Sequence, residues 1–291
     1  MIGRRFALIS VLLLASGGGL IVLTTSTAHT AALHILDVGQ GDAILLRSGT
    51  VDILIDGGPD TRALRRLGEV RPVWDRRIDV LILSHPQQDH LAGLLPLLAR
   101  ERVGLLLLPE IAASSDLFRG FIEDVLAHGI PVRFASSGQT ITARRLRLSI
   151  LGPSSRTLEL AKKNPNNGSV IVRADIGTQF SVLLTGDIER GAEHLLVEEW
   201  GDVLDTDVLK VPHHGSKTSS SIRLLRAVSP RLAVVSSGRE NRFGHPHESV
   251  LARFRTLPLL RTDTHGTVSL MLRDSRVVLV CSRARRCSVK I

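Results

Sequence analysis

Along the chain, short apolar runs alternate with stretches in which apolar positions recur every three or four residues. The first pattern is that of buried strands, the second that of helices laying one stripe against a sheet. Strands are predicted at Leu33–Asp37, Ala43–Arg47, Asp52–Asp56, Val80–Ser84, Val103–Leu108 and Leu146–Leu151. Further strands are predicted at Ser169–Ala174, Ser181–Thr185, Val208–Val211, Leu232–Ser236, Thr267–Leu272 and Val277–Cys281. Helices are predicted at Leu91–Arg100, Asp116–His128, Ile188–Trp200, Ser219–Ala227 and His247–Arg255. Early strands follow one another through tight turns such as Ser48-Gly49, and later ones alternate with helices. The class is therefore α/β, with mixed sheets covered by helices on their outer faces. No long linker and no repeat divides residues 32–291, which read as a single domain.

Residues 1–31 stand apart. Arg4 and Arg5 precede an apolar run from Phe6 to Leu23, close to the lower limit of about 17 residues for crossing a bilayer. The run reads either as a cleaved signal peptide, with Ser26 and Ala28 as small residues near the cut, or as a retained membrane anchor. Both readings put the rest of the chain outside the cytoplasm. Two cysteines, Cys281 and Cys287, flank Ser-Arg-Ala-Arg-Arg. Their spacing fits neither a zinc ribbon nor a redox motif, leaving a hairpin disulfide or two free thiols.

The chemistry gathers at strand ends. The strand Val80–Ser84 runs into His85-Pro-Gln-Gln-Asp-His90, which crowds two imidazoles and a carboxylate into one strand-to-helix loop. Three donors within six positions point to a divalent metal, at the strand ends where open sheets place their sites. Other polar clusters also follow strands: Asp37-Val-Gly-Gln-Gly-Asp42, Asp56 before Gly57-Gly58, Asp187 after Thr185-Gly186, and His213-His214 before Gly215-Ser216.

The segment from His85 to His90 resembles the His-x-His-x-Asp-His signature of the metallo-β-lactamase superfamily, and Asp56, Asp187 and His213 or His214 follow in that fold's order. Five stretches resemble the C-terminal hydrolase domain of the ComEC family of DNA-uptake (competence) proteins. They are Leu36-Asp-Val-Gly-Gln-Gly-Asp42, Asn166-Asn-Gly-Ser169, His213-His-Gly-Ser216, Phe243-Gly-His-Pro-His247 and Arg261-Thr-Asp263. The resemblance runs over roughly residues 33 to 275; the many membrane spans of those proteins are absent from this sequence. It implies an αββα sandwich, two mixed sheets face to face with helices outside, holding one or two divalent ions of manganese or zinc, with magnesium a further option.

Gln87 stands where the signature has its second histidine, and the loop Asn164-Pro-Asn-Asn-Gly-Ser169 stands where a further histidine is usual. By the resemblance, His85 shares a weaker first position with Gln87 and an asparagine. Asp89, His90 and His213 or His214 make a tighter second position, and Asp187 bridges the two. Amide oxygens are harder donors than imidazole, which tilts the weaker position toward manganese or magnesium. Asp56 is expected to orient the histidines, and Asp37 and Asp42 to shape the floor of the site.

Such a site attacks phosphorus or carbonyl centres with activated water. Asp89 and Asp187 are assigned to that chemistry, and His245 to positioning a phosphate oxygen or protonating a leaving group. Gln87, Asn167, Ser216, Lys217 and Ser219 are expected to contact substrate, the last three at a helix N-terminus suited to an anion. The net charge of +9 lies wholly in residues 201–291, which points to a polyanion. With no tyrosine and 3% aromatics, base stacking is not expected as its main mode. The reading is an extracytoplasmic, metal-dependent phosphodiesterase acting on DNA, partnered by membrane transport or competence proteins and using no nucleotide cofactor. Two alternatives are an esterase for phosphodiesters of envelope polymers and a decayed DNA-binding accessory module. β-Lactam hydrolysis is disfavoured, because two of its zinc histidines are missing.

Overall fold

Each central strand alternates apolar residues between two different covers. Ile53 and Ile55 face one layer and Leu54 the other; Val182 and Leu184 face one layer and Leu183 the other. A strand that is apolar on both faces must be covered on both, and the computed structural model, which describes residues 31–273, 276–283 and 287, does this with two stacked sheets and two helical layers. The expectation of a signal peptide or anchor within residues 1–30 lies outside the described residues.

The first sheet has eight strands in the spatial order Arg276–Cys281, Val268–Arg273, Ala31–Ile35, Ile44–Ser48, Val51–Ile55, Val80–Ile82, Leu106–Pro109 and Val132–Ala135. The second has seven, in the order Leu259–Arg261, Leu232–Val235, Val208–Lys210, Phe180–Leu184, Ile171–Ile176, Leu146–Gly152 and Thr140–Ala143. Both are mixed, since antiparallel pairs give way to parallel ones at Val51–Ile55 with Val80–Ile82 and at Phe180–Leu184 with Val208–Lys210. The inner faces share one core of Leu33, Ile35, Leu46, Leu148, Val172 and Val234, among others. Removing one such side chain costs about 2–5 kcal/mol. Helices Arg62–Val70 and Asp116–Ala127 cover the first sheet, and Arg190–Trp200 and Ile222–Val228 the second. The αββα sandwich expected from the sequence is the fold observed. Among the described residues no helix is long and apolar enough to cross a membrane.

Some elements differ from expectation. The predicted helix Leu91–Arg100 is two short helices, Gln88–Leu91 and Leu94–Leu98, separated at Gly93. Gly93 lies on the loop after Val51–Ile55, where a Cβ would sit 2.5 Å from the Asp60 carbonyl oxygen. The close approach ties the helix carrying His90 to the loop carrying Asp56, reinforced by Gly57 N–H donating to the His90 carbonyl at 2.7 Å. The predicted strand Val103–Leu108 divides between a two-residue ribbon, Arg102–Val103 with Arg77–Ile78, and the sheet strand Leu106–Pro109. Strands Val132–Ala135, Thr140–Ala143 and Leu259–Arg261 were not anticipated. Cys281 and Cys287 form a disulfide.

Candidate metal centre

The strand Val80–Ile82 delivers Ser84 and His85, and the helix Gln88–Leu91 starts at once, so Asp89 and His90 project from its first turn rather than from a loop. Asp187 follows the strand Phe180–Leu184, and His213 and His214 follow Val208–Lys210. Parallel neighbours bring these strand ends to one edge of the sandwich.

Asp56 organises the first group. Its Oδ1 accepts the Ser84 amide at 2.7 Å, and its Oδ2 accepts the Ser84 hydroxyl at 2.6 Å and faces His90 Nδ1 at 2.7 Å. With the hydroxyl proton committed to Asp56, His85 Nδ1, 3.0 Å from Ser84 Oγ, is assigned as the donor of that pair. His214 Nδ1 donates to the Ser236 carbonyl at 2.9 Å. All three rings therefore turn Nε2 into the site, the atom left free for a cation.

Asp89, His90, Asp187 and His214 each place one ligand atom within 4.8 Å of the others. His214 Nε2 lies 3.2 Å from Asp187 Oδ2 and 3.4 Å from Asp89 Oδ2; His90 Nε2 lies 3.3 Å from Asp187 Oδ2. The Nε2 atoms of His85, His90 and His214 and both Asp187 oxygens are buried without a hydrogen-bond partner. Each such orphan costs about 1–3 kcal/mol, so their convergence fits a cation held among them. Imidazole nitrogens mixed with carboxylate oxygens suit a borderline or hard divalent ion.

The electrostatics agree. Burial opposes charge on His90, but Asp187, Asp56 and Asp89 raise it well above the ordinary imidazole value. His214 is raised to about 9 by Asp187 and Asp42 against its burial. Burial opposes charge on Asp187 too, and His214 and His90 hold it well below the usual carboxylate range. A cation at these atoms displaces protons, so its affinity falls in acid. His85 is different: burial and His90 push it down to about 3.

Consecutive left-handed residues, His213 with φ 50° and His214 with φ 54°, turn the chain sharply after Val208–Lys210. Two such non-glycine residues cost on the order of 1–3 kcal/mol each. The turn sends His214 inward, 1% exposed, into the buried group. His213 lies beside it, with Nε2 3.4 Å from Asn166 Nδ2 and 3.8 Å from Asp187 Oδ2. Asn166 Oδ1 accepts a hydrogen bond from Gln87, so Gln87, Asn166 and His213 form a polar chain flanking the group.

Several expected contacts fall elsewhere. Asn166 and not Asn167 faces the site, because the turn Pro165–Gly168 rotates Asn167 away to accept the Glu189 amide at 3.1 Å. The helix expected to bind phosphate through Ser216, Lys217 and Ser219 begins later, at Ile222. Its approach already holds an anion, the buried Glu193 carboxylate, which accepts the Ser220 and Ser221 amides. Ser219 is buried and donates to the Pro212 carbonyl at 2.9 Å; Ser216 is buried against Thr218 Oγ1 at 3.0 Å. Lys217 stands exposed. Asp37 is drawn away by Arg66 at 3.2 Å and by Arg283, whereas Asp42 Oδ1 comes within 3.5 Å of His214 Nδ1. His245 is half-buried, its ring 5.6 Å from that of His213 and its Nδ1 without a partner. Burial, with His214 and His213, lowers its pKa to about 4. His247 caps the helix Glu248–Leu251 instead.

Three residues were missed as members of the site: Ser84, Asn166 and Lys210. Lys210 ends an apolar strand in which Val208 faces the inter-sheet core and Leu209 the helices, so the period of two sends Lys210 between the sheets. It is fully buried, paired with Asp42, and its Nζ lies 4.0 Å from Asp187 Oδ1. The signal was a lysine inside an otherwise apolar run.

A family model described as Metallo-beta-lactamase superfamily matches residues 36–239. The chain is 31% identical over 256 residues to ComE operon protein 3 of Bacillus subtilis, covering 81% of this chain and 32% of that protein. It is 33% identical over 249 residues to competence protein ComA of Neisseria gonorrhoeae, covering 84% of this chain and 33% of that one. The chain thus spans about a third of the curated relatives it matches. Among solved structures, the metallo-beta-lactamase fold protein YhfI from Bacillus subtilis superposes with a TM-score of 0.55 at 12% identity, over 82% of this chain and 99% of that one. That likeness concerns the fold alone.

Proposed function

Because the chain belongs to the metallo-beta-lactamase superfamily, a family of metal-dependent hydrolases, we propose that it hydrolyses phosphodiester bonds of DNA, outside the cytoplasm. The observation that carries the reading is the convergence of buried, unpartnered atoms of His90, Asp187 and His214 on one point that Asp89 also reaches. Similarity to competence proteins and the positive charge of residues 201–291 support DNA as the substrate. The disulfide Cys281–Cys287 and the apolar run Phe6 to Leu23 favour an oxidising compartment, with membrane transport or competence proteins as partners.

Divalent ions held by this group, manganese or zinc by preference, supply Lewis acidity and a water of lowered pKa. The chain supplies the rest. Asp187 reaches both His90 and His214 and faces His213, so one carboxylate serves both halves of the site. Asp89 is the exposed member of the group, its side chain 26% accessible, and orients whatever enters from solvent. His245, neutral near pH 7, hydrogen-bonds a phosphate oxygen at the mouth. Lys210 and Asp42 hold the floor as a neutral pair beneath Asp187.

Purified protein freed of metal and then given manganese or zinc is expected to cleave single- or double-stranded DNA, and Asp187→Ala to lose about a thousandfold in rate. Hydrolysis confined to small phosphocholine-like diesters would move the substrate to envelope polymers. DNA binding that survives chelation, with less than one ion per chain, would remove the catalytic reading.

A further inference from the structure

Next to the loop that carries His245 lies a cavity of about 330 Å³, walled by Arg62, Arg239, Arg283, Gln40, Asn241 and Asp37. Its charges are not balanced. Asp37 is claimed by Arg283 and by Arg66 at 3.2 Å. Arg62 pairs at 2.8 Å with Asp60, where both side chains are more than two-fifths exposed. Arg239 spends only its Nε, on the Asp263 carbonyl at 2.7 Å, and has no ion pair among the described residues. Arg62 holds Asp60 through Nε and Nη2 and keeps Nη1 without a hydrogen bond among the described residues, so it can reach a further anion.

The pocket is built into the centre. Asn241 joins the two: its Oδ1 accepts the His245 amide at 3.0 Å, and its Nδ2 donates to the His245 carbonyl at 2.6 Å and the Gly238 carbonyl at 2.9 Å. Gln40 Oε1 accepts the Gly238 amide at 3.2 Å. Ser236 donates to the Gly41 carbonyl at 2.7 Å, and its own carbonyl receives His214 Nδ1. The Arg62 guanidinium rests on Gly39, where a Cβ would lie 2.8 Å from Arg62 Cζ and φ is +81°. Any larger residue at Gly39 would push the arginine out.

We infer that this pocket binds a backbone phosphate adjacent to the one at the metal centre, in a polynucleotide strand laid across His245 and Asn241. Planar guanidiniums match phosphate in geometry and keep their charge at every relevant pH. The inference rests on the DNA reading above and deepens it. A small diester fills the metal centre alone, whereas a strand fills both places.

The test uses metal-loaded protein and a short fluorescein-labelled single strand with a phosphorothioate backbone, which resists cleavage, followed by anisotropy over a salt series. Arg62→Ala/Arg239→Ala is expected to weaken binding roughly tenfold and to flatten the log–log salt slope by about 0.7, the contribution of the one phosphate the pocket holds. The distant double variant Arg133→Ala/Arg147→Ala, exposed near the opposite ends of the strands, is expected to leave both unchanged. An unchanged slope in the first variant, an equal loss in the second, or a wild type that does not bind would each overturn the pocket. A wild type that binds through the pocket but leaves an unmodified strand intact would instead retain the pocket and remove the hydrolytic reading. Cleavage of DNA with unaltered binding in Arg62→Ala/Arg239→Ala would do the reverse.

Discussion

His90, Asp187 and His214 are held from behind by groups outside the site, whereas Gln87, Asn166 and His213 are held mostly by one another. His90 is fixed by Asp56, His214 by the Ser236 carbonyl, and Asp187 by Ser169 Oγ on its amide at 3.2 Å. On the other side an amide meets an amide, and His213 is 18% exposed with an unbonded Nδ1. The first half is preorganised for a small cation. The second can readjust, which suits a weaker ion position or direct contact with substrate. Asp187 is common to both, so the difference lies in the surrounding support and not in the shared ligand.

The largest expected effect removes the support under both halves. Lys210→Ala removes the lysine partner of the buried Asp42, and removing one partner of a buried pair costs about 3–5 kcal/mol. Urea unfolding measures it, and a loss below about 1 kcal/mol would show that Lys210 does not anchor the floor. Next comes a pH effect belonging to the sheet and not to the centre. Burial, with Arg47, holds His34 at about 4, below its unfolded value near 6.5. The unfolded chain binds the extra proton, so stability is complete above about pH 6.5 and falls as pH drops toward 4, by on the order of 3 kcal/mol. His34→Gln should flatten that slope; an unaltered slope would assign the acid sensitivity to the metal ligands.

Smaller effects probe the asymmetry directly. Asp56→Asn disturbs His90 at first hand and His85 only through Ser84, so calorimetry should show metal affinity falling about 10- to 100-fold, mostly in the tighter half. Equal weakening of both halves would contradict the division. Gln87→His offers an imidazole in place of an amide and should raise zinc affinity of the weaker half about tenfold, narrowing the difference.

The sandwich was legible because strands such as Leu54-Ile55 and Val182-Leu183-Leu184 are apolar on both faces and demand two covers. Val132–Ala135 escaped notice because it is a four-residue edge strand, exposed at Val132, Arg133 and Phe134, too short for its alternation to stand out. Within the site, His85, Asp89 and His90 were readable from local spacing, and Asp187 from the resemblance to the superfamily. Lys210 was not, because its partner Asp42 comes from the opposite sheet and only the stacking of the two sheets joins them. Asn166 and Asn167 differ only in which way a single turn points them. The serines before Ile222 looked like a phosphate cradle until Glu193, from a separate helix, filled it.

The two halves of the centre are expected to bind metal unequally. A crystal of the metal-stripped protein soaked in less than one equivalent of manganese, with the anomalous signal mapped, tests it most directly. Density is expected among Asp89, His90, Asp187 and His214 first, with the His85 side filling only at excess. Density beside His85 and Gln87 at limiting metal would contradict it.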